Sequence, residues 1–144
     1  MFYFDTSFVI PLVLDEPTSA RVQRFVAALP KDRLAVSQWT RVEFSSALGR
    51  LVRMGVLDSR KAAAADVQFE RLTAASFVVL LPAAADYDLA QRYLEYHRSE
   101  LRAGDALHLA VAANNSAESI LTLDRTLMAA GSALGLPVNA GIES

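Results

Sequence analysis

Short apolar runs separated by amphipathic stretches make up most of this sequence. Five runs have the length of strands and the unbroken hydrophobicity that is typical of strands buried on both faces of a parallel sheet. The predicted strands are residues 2–5, 34–37, 77–81, 119–123 and 136–138. The last one contains Pro137, which cannot donate a hydrogen bond to a neighbouring strand, so we place it at an edge of the sheet.

The stretches between these runs repeat apolar side chains with the period of a helix. Thr18 and Asp58 are suited to begin helices, Pro30 ends one, and Gly55 lies where a helix can close in a left-handed turn. The predicted helices are residues 17–29, 39–54, 58–74, 86–97, 103–113 and 125–134.

The alternation of strands and helices predicts an α/β protein. We expect a three-layer α/β/α sandwich with a mainly parallel, roughly five-stranded sheet. The chain has 144 residues, of which 53% are hydrophobic and 21% charged, so a single domain over residues 1–144 with a substantial core is expected. In such sheets ligands bind outside the carboxyl ends of the strands, and functional side chains should be sought there.

Composition narrows the chemistry of any metal site. Cysteine is absent and there are only two histidines, which excludes thiolate zinc sites and sites built on three imidazoles. A metal ion would therefore be held mainly by oxygen, which favours Mg²⁺ or Mn²⁺. The chain has no apolar run of about 20 residues and no basic N-terminal leader, so we expect a cytoplasmic protein that does not enter a membrane.

The charged residues leave the question of a nucleic-acid partner open. The formal net charge is −2, but twelve of the fourteen basic residues are arginines. Arginine binds phosphate with two parallel hydrogen bonds, so this bias allows contact with nucleic acid. A GC-rich coding bias is the simpler explanation of it.

Four carboxylates follow predicted strands or lie near helix starts. Taken singly, each also fits a helix cap or a solvated charge, but together they indicate an acidic site for a divalent cation, because convergent carboxylates repel one another and a cation offsets this. They are Asp5, Glu43, Asp105 and Asp124.

The motifs around these acids resemble those of the PIN domain, and in particular the VapC-type toxins of toxin–antitoxin pairs. The resemblance is carried, in order along the chain, by Phe4-Asp5-Thr6-Ser7, Thr40-Arg41-Val42-Glu43, Asp105-Ala106-Leu107-His108-Leu109-Ala110, Leu123-Asp124 and the closing Ala133-Leu134-Gly135-Leu136-Pro137-Val138. The combination is more specific than any one of its parts.

This resemblance implies a ribonuclease that uses Mg²⁺ or Mn²⁺ and has a catalytic set of Asp5, Glu43, Asp105 and Asp124. Asp5 and Asp105 are then the principal metal ligands, and Asp124 holds a ligand water or a second ion. Glu43 orients or deprotonates the attacking water. Thr6, and to a lesser degree Ser7, would hydrogen-bond these acids.

Several other side chains are candidates for contact with RNA, and each also fits a purely structural or solvent-exposed role. Arg41 and Arg125 lie beside the acids in sequence and are equally suited to ion pairs, and Arg102 precedes Asp105 by three residues. His97 and Arg98 form a basic cluster with Arg102, which also fits a solvated helix end. His108, one helical turn after Asp105, is expected to have a structural role rather than to bind metal.

Two other Asp-based enzyme or signalling classes do not fit. A haloacid-dehalogenase phosphatase needs Asp-x-Asp, but position 7 is Ser, and a receiver domain needs a late lysine, but both lysines precede residue 62. The remaining alternative is a catalytically silent PIN-like module that binds RNA or protein. The toxin reading further implies an RNA substrate, a cognate VapB-type antitoxin and a homodimer.

Overall fold

A computed structural model describes residues 1–96 and 100–142 of the chain. Its five strands are β1 (Phe2–Phe4), β2 (Leu34–Ser37), β3 (Val78–Leu80), β4 (Ser119–Leu121) and β5 (Val138–Asn139). Its seven α-helices are α1 (Thr6–Val13), α2 (Ser19–Ala27), α3 (Gln38–Arg53), α4 (Ser59–Ser76), α5 (Ala84–Leu94), α6 (Ala103–Asn114) and α7 (Arg125–Ala133).

All five strands are parallel, in the order β3-β2-β1-β4-β5. The chain builds outward from β1 to β3 on one side and then crosses to β4 and β5 on the other. The order therefore reverses at β1 and β4, where Phe4 is paired with Leu121. The carboxyl ends of these two strands form the topological switch point at which sheets of this type bind ligands.

Side chains alternate across the sheet and form a separate core on each face. Phe4 and Leu121 face a core with α1 to α4, in which Phe44 and Phe69 stack with ring centres 4.2 Å apart. Their neighbours Tyr3 and Ile120 face a second core with α5, α6 and α7. The predicted three-layer α/β/α sandwich is thus confirmed, and β5 lies at a sheet edge as Pro137 indicated.

The structure differs from the predicted boundaries mainly in α1, which the sequence pattern did not reveal. This helix is apolar along most of its length and contains Pro11, so it shows neither an amphipathic period nor an uninterrupted helical sequence. Packing between the sheet and α2 stabilises it instead. The other differences are small. The strands after β2 are two or three residues long, and α5 ends at Leu94 rather than at residue 97.

Candidate active site

Asp5 follows β1 directly and caps the first turn of α1. Its side chain is only 3% exposed, with Oδ1 accepting hydrogen bonds from the Phe8 N–H at 3.1 Å and from Ser7 Oγ at 2.7 Å. Oδ2 accepts one from Thr122 Oγ1 at 2.8 Å, which leaves a lone pair on Oδ2 for another partner. Burial raises the pKa of Asp5 above its ordinary value, although these hydrogen bonds and the nearby His108 ring oppose the shift.

Ser7 connects the ends of β1 and β4. Besides donating to Asp5, its Oγ accepts hydrogen bonds from the backbone N–H groups of Leu123 at 2.8 Å and Asp124 at 3.2 Å. The serine therefore fixes the position of Asp124 relative to Asp5.

Glu43 is held in the second turn of α3 by two donors on the same oxygen. Its Oε2 accepts hydrogen bonds from Thr6 Oγ1 at 2.6 Å and from His108 Nε2 at 2.7 Å. Burial raises the pKa of Glu43, but the hydrogen bonds and the charge of its partners outweigh this, and the pKa lies below its ordinary value. The carboxylate is therefore ionised at neutral pH.

His108 is 1% exposed and uses both ring nitrogens within the protein. Because the Glu43 carboxylate can only accept, Nε2 carries the proton of their hydrogen bond. Nδ1 lies 2.7 Å from the Tyr3 hydroxyl, which also hydrogen-bonds Ser37 Oγ at 2.9 Å. Neither nitrogen is left to bind a metal, so the ring serves to hold Glu43 against the core.

Gly104 allows the Glu43 carboxylate to reach this position. A Cβ on Gly104 would lie 2.6 Å from Glu43 Oε1 and 3.3 Å from the Trp39 ring, closer than such atoms normally approach. The second residue of α6 must therefore lack a side chain if Glu43 is to keep its hydrogen bonds to Thr6 and His108.

Asp105 and Asp124 lie at the starts of α6 and α7. Asp105 Oδ2 accepts a weak hydrogen bond from the Arg102 N–H at 3.3 Å, while Asp124 caps α7 by accepting from Thr126 and Leu127 on Oδ1. Burial raises the pKa of Asp105, and the negative charges of Asp124 and Glu43 raise it further. Both carboxylates are thus close enough to Asp105 for their charges to oppose its ionisation.

The four acids line one cleft of about 360 Å³ at the carboxyl end of the sheet. Thr6 and Ser7 lie in the same wall, and three arginines also line the cleft: Arg50, Arg53 and Arg102. The cleft thus contains the four predicted acids, the two predicted hydroxyl residues and Arg102, one of the three predicted arginines.

The other two predicted arginines lie elsewhere. Arg41 forms an ion pair with Glu70 through two hydrogen bonds of 3.0 and 2.6 Å. Arg125 lines a separate cavity beside Tyr96 and Glu100. Arg41 lies two residues before Glu43 and Arg125 directly follows Asp124, but their side chains leave the helices in other directions. His97 and Arg98 lie outside the described residues.

The oxygen donors of the cleft fit a hard cation that keeps part of its water shell. Within residues 1–96 and 100–142, no three acidic or imidazole side chains are grouped closely enough to hold an ion by themselves. Mg²⁺ requires no such cage, since it usually keeps several waters and binds to one or two carboxylates. Asp5 Oδ2 has a lone pair to offer, and the mutual repulsion at Asp105 favours a positive charge in the cleft.

Comparison with known families identifies the chain. The model of the PIN domain family matches residues 2–131. The chain is a PIN domain. Among the curated proteins, the sequence matches none.

Solved structures agree with this assignment at the level of the fold. The Mycobacterium tuberculosis toxin VapC20, which cleaves the sarcin-ricin loop, is 24% identical with a TM-score of 0.71, and the match covers 91% of this PIN domain and 95% of the toxin. FitAcB from Neisseria gonorrhoeae is 23% identical with a TM-score of 0.69 and 98% of each chain covered. VapBC-1 from nontypeable Haemophilus influenzae is 20% identical with a TM-score of 0.67, again with 98% of each chain covered.

Three residues of this site were not predicted from the sequence: Arg50, Arg53 and Gly104. The two arginines follow Glu43 by seven and ten residues, a spacing that keeps residues on one face of a helix, so the helical period contained a signal for them. Gly104 had no such signal, because its role depends on a side chain 61 positions away.

None of the helices in the described part of this PIN domain is long and apolar enough to cross a membrane.

Proposed function

We propose that this PIN domain is an endoribonuclease dependent on Mg²⁺ or Mn²⁺ and acts as the toxin of a VapBC-type toxin–antitoxin pair. The observation that carries the proposal is the cleft in which Asp5, Glu43, Asp105 and Asp124 converge at the switch point of the sheet. Membership of the PIN family and the fold shared with the toxin VapC20 support it.

Asp5, Asp105 and Asp124 are the residues that would hold the ion, directly or through water. When bound, the ion lowers the pKa of a water molecule and withdraws charge from a phosphoryl oxygen of the substrate. The protein's part is to keep the three carboxylates in place, which the hydrogen bonds of Ser7 and Thr122 do for Asp5.

Glu43 is the proposed proton acceptor for the attacking water. Thr6 and His108 occupy Oε2, keep the carboxylate ionised and restrict its rotation. Oε1 takes no part in those two hydrogen bonds and is the oxygen that would orient the water and accept its proton.

The proposed biological role rests on the structural neighbours. FitAcB and VapBC-1 share the fold over nearly the whole chain, and VapC20 is a toxin that cleaves RNA of the sarcin-ricin loop. We propose accordingly that the chain cleaves RNA in the cytoplasm, forms a homodimer and is neutralised by a VapB-type antitoxin.

Cleavage of RNA by the purified protein tests the proposed activity. We expect the protein to cleave single-stranded or loop RNA with Mg²⁺ or Mn²⁺ and not to cleave it in EDTA. In Asp5→Asn the rate of cleavage should fall by at least about 100-fold, which is the order of the loss seen when a group that stabilises transition-state charge is removed. Asp58→Asn is the matched control, because Asp58 caps α4 as Asp5 caps α1, and Asn is an equally good cap.

This design separates a catalytic acid from a helix cap. Both substitutions preserve capping and remove one negative charge, but only Asp5 lies in the cleft. Cleavage that persists in EDTA, or that survives in rigorously purified Asp5→Asn, would contradict the proposal and leave a silent binding module as the better account.

A further inference from the structure

The face of α3 that lines the cleft changes character along its length. It begins with Glu43, continues with the small residues Ser46 and Ala47, and ends with Arg50 and Arg53. These positions follow the helical period, and at 1.5 Å per residue the two arginines lie about 10 and 15 Å along the helix axis from Glu43. The cleft is thus an acidic centre continued by an open groove with a basic end.

Arg50 and Arg53 differ from other arginines of the chain in their surroundings. Arg33 and Arg41 are each bound by a glutamate, Glu118 and Glu70 respectively. Arg50 and Arg53 are exposed, and their guanidinium groups form no ion pair with any carboxylate in residues 1–96 and 100–142. Two positive charges in the same cleft as four acids, yet unpaired with them, are available to an anion.

We propose that Arg50 and Arg53 form a binding site for backbone phosphates of RNA, adjacent to the phosphate that is cleaved. The inference rests on the proposed ribonuclease function, and it adds the path of the substrate: the strand runs along α3 from the acids towards Arg53. The arginines are too far along the helix to reach the phosphate attacked near Glu43, so they contact the neighbouring phosphates of the same strand.

Electrostatics explains why such a site is needed. The acidic centre repels the RNA backbone, and the chain as a whole carries a net charge of −2, so no general attraction brings RNA to the cleft. Two arginines at its end supply a local attraction, and each can form paired hydrogen bonds with one phosphate. Ser46 and Ala47 leave room between the two regions for the connecting sugar and base.

A purely structural role for these arginines makes a different prediction. Both lie in the last two turns of α3, where positive charge interacts favourably with the helix dipole. That role concerns the stability of the helix and has no effect on the affinity for RNA, so the two readings are separated by measuring binding and melting temperature on the same variants.

The test measures binding of fluorescein-labelled U12 RNA by anisotropy over a range of salt concentrations, in an Asp105→Asn parent that does not cut the probe. We expect Arg50→Ala and Arg53→Ala each to weaken binding about 3- to 10-fold, and the double variant to reduce the slope of log K against log salt by about 1.4. Arg50→Lys should retain most of the slope, because it retains the charge. A dT12 probe should show the same loss, since the contacts are to phosphate.

The control is the double variant Arg60→Ala/Arg71→Ala, which removes two exposed arginines of α4 that do not line the cleft. It should leave the salt slope unchanged. An equal loss in this control, an unchanged slope in the Arg50/Arg53 double variant, or a parent protein that does not bind U12 at low salt would each overturn the proposal. A wild-type protein that binds RNA through these arginines without cleaving it would instead remove the ribonuclease proposal and leave the phosphate site standing.

Discussion

At the residue scale, Glu43 is the most constrained side chain of the cleft. Thr6 and His108 hold one oxygen, and the absence of a side chain at Gly104 makes room for the other. His108 is in turn anchored to Tyr3 in the central strand. Fixing a carboxylate in this way removes the need to reorganise it during the reaction, which is the general condition for efficient electrostatic and acid–base catalysis.

Gly104→Ala should therefore impair cleavage without unfolding the protein. The new methyl group would lie 2.6 Å from Glu43 Oε1, so the carboxylate has to move. Alanine favours a helix over glycine by about 1 kcal/mol, and this offsets part of the loss in the free energy of unfolding that the close contact causes. We expect kcat to fall at least tenfold with little change in KM, and the melting temperature to remain within a few degrees of the wild type.

Kinetics and thermal melts of the same preparation check this expectation. A fall in kcat together with collapse of the fold would point to a packing defect instead. Unchanged kcat with an unchanged melting temperature would show that the position of Glu43 does not matter for cleavage.

At the element scale, three helices that line the cleft begin with an acid of the site. Asp5 and Asp124 cap α1 and α7, and Asp105 is the third residue of α6. The partial positive charge of a helix N-terminus stabilises a carboxylate there. Capping and a role in the site are therefore not alternatives for these residues, since the same side chain serves both.

Asp105→Asn should stabilise the metal-free protein at neutral pH. The pKa of Asp105 is raised in the fold, so its charged form is less favourable in the native state than in the unfolded chain. Its contribution to stability is thus greatest at low pH and is lost as the pH rises from the unfolded value of about 3.9 through the raised native value. Asparagine removes this loss and can still accept the Arg102 hydrogen bond.

Thermal melts in EDTA between pH 4 and pH 7 measure the effect. We expect the melting temperatures of wild type and Asp105→Asn to diverge as the pH rises, with the variant higher at pH 7 by on the order of 2 °C. Asp58→Asn, in an exposed helix cap, should show no such divergence. A wild type that gains stability over the variant as the pH rises would show that Asp105 is a stabilising charge rather than one of a repelling set.

At the scale of the whole molecule, the layer architecture could be predicted because it follows from local patterns. Unbroken apolar runs gave the parallel strands, and amphipathic stretches gave most of the helices. The acids could be predicted as a group because the carboxyl ends of parallel strands meet at one edge, so that Asp5 and Asp124 come close although 119 positions separate them.

What the sequence did not reveal depends on side-chain direction and on packing in three dimensions. Arg41 lies two residues from Glu43 in sequence, but this spacing turns it towards Glu70 on α4 and out of the cleft. Helix α1 was missed because its stability comes from burial rather than from an amphipathic pattern. Gly104 acquires its role only through a contact with another helix.

The most direct test of the central claim, that these acids hold the ion used in RNA cleavage, is a Mn²⁺ titration read out in two ways. The rate of RNA cleavage and the melting temperature are measured at each Mn²⁺ concentration, for wild type, Asp105→Asn and the Asp58→Asn control. A ligand at concentration L that binds only the native state stabilises it by RT ln(1 + L/Kd), so the melting temperature starts to rise at concentrations near Kd and then increases with the logarithm of the concentration. We predict that the Kd fitted to the rise in melting temperature equals the Mn²⁺ concentration for half-maximal cleavage in wild type and control, and that both values are shifted at least tenfold, or both effects are lost, in Asp105→Asn. Cleavage that does not depend on Mn²⁺, or stabilisation by Mn²⁺ that is unchanged in Asp105→Asn, would contradict the account.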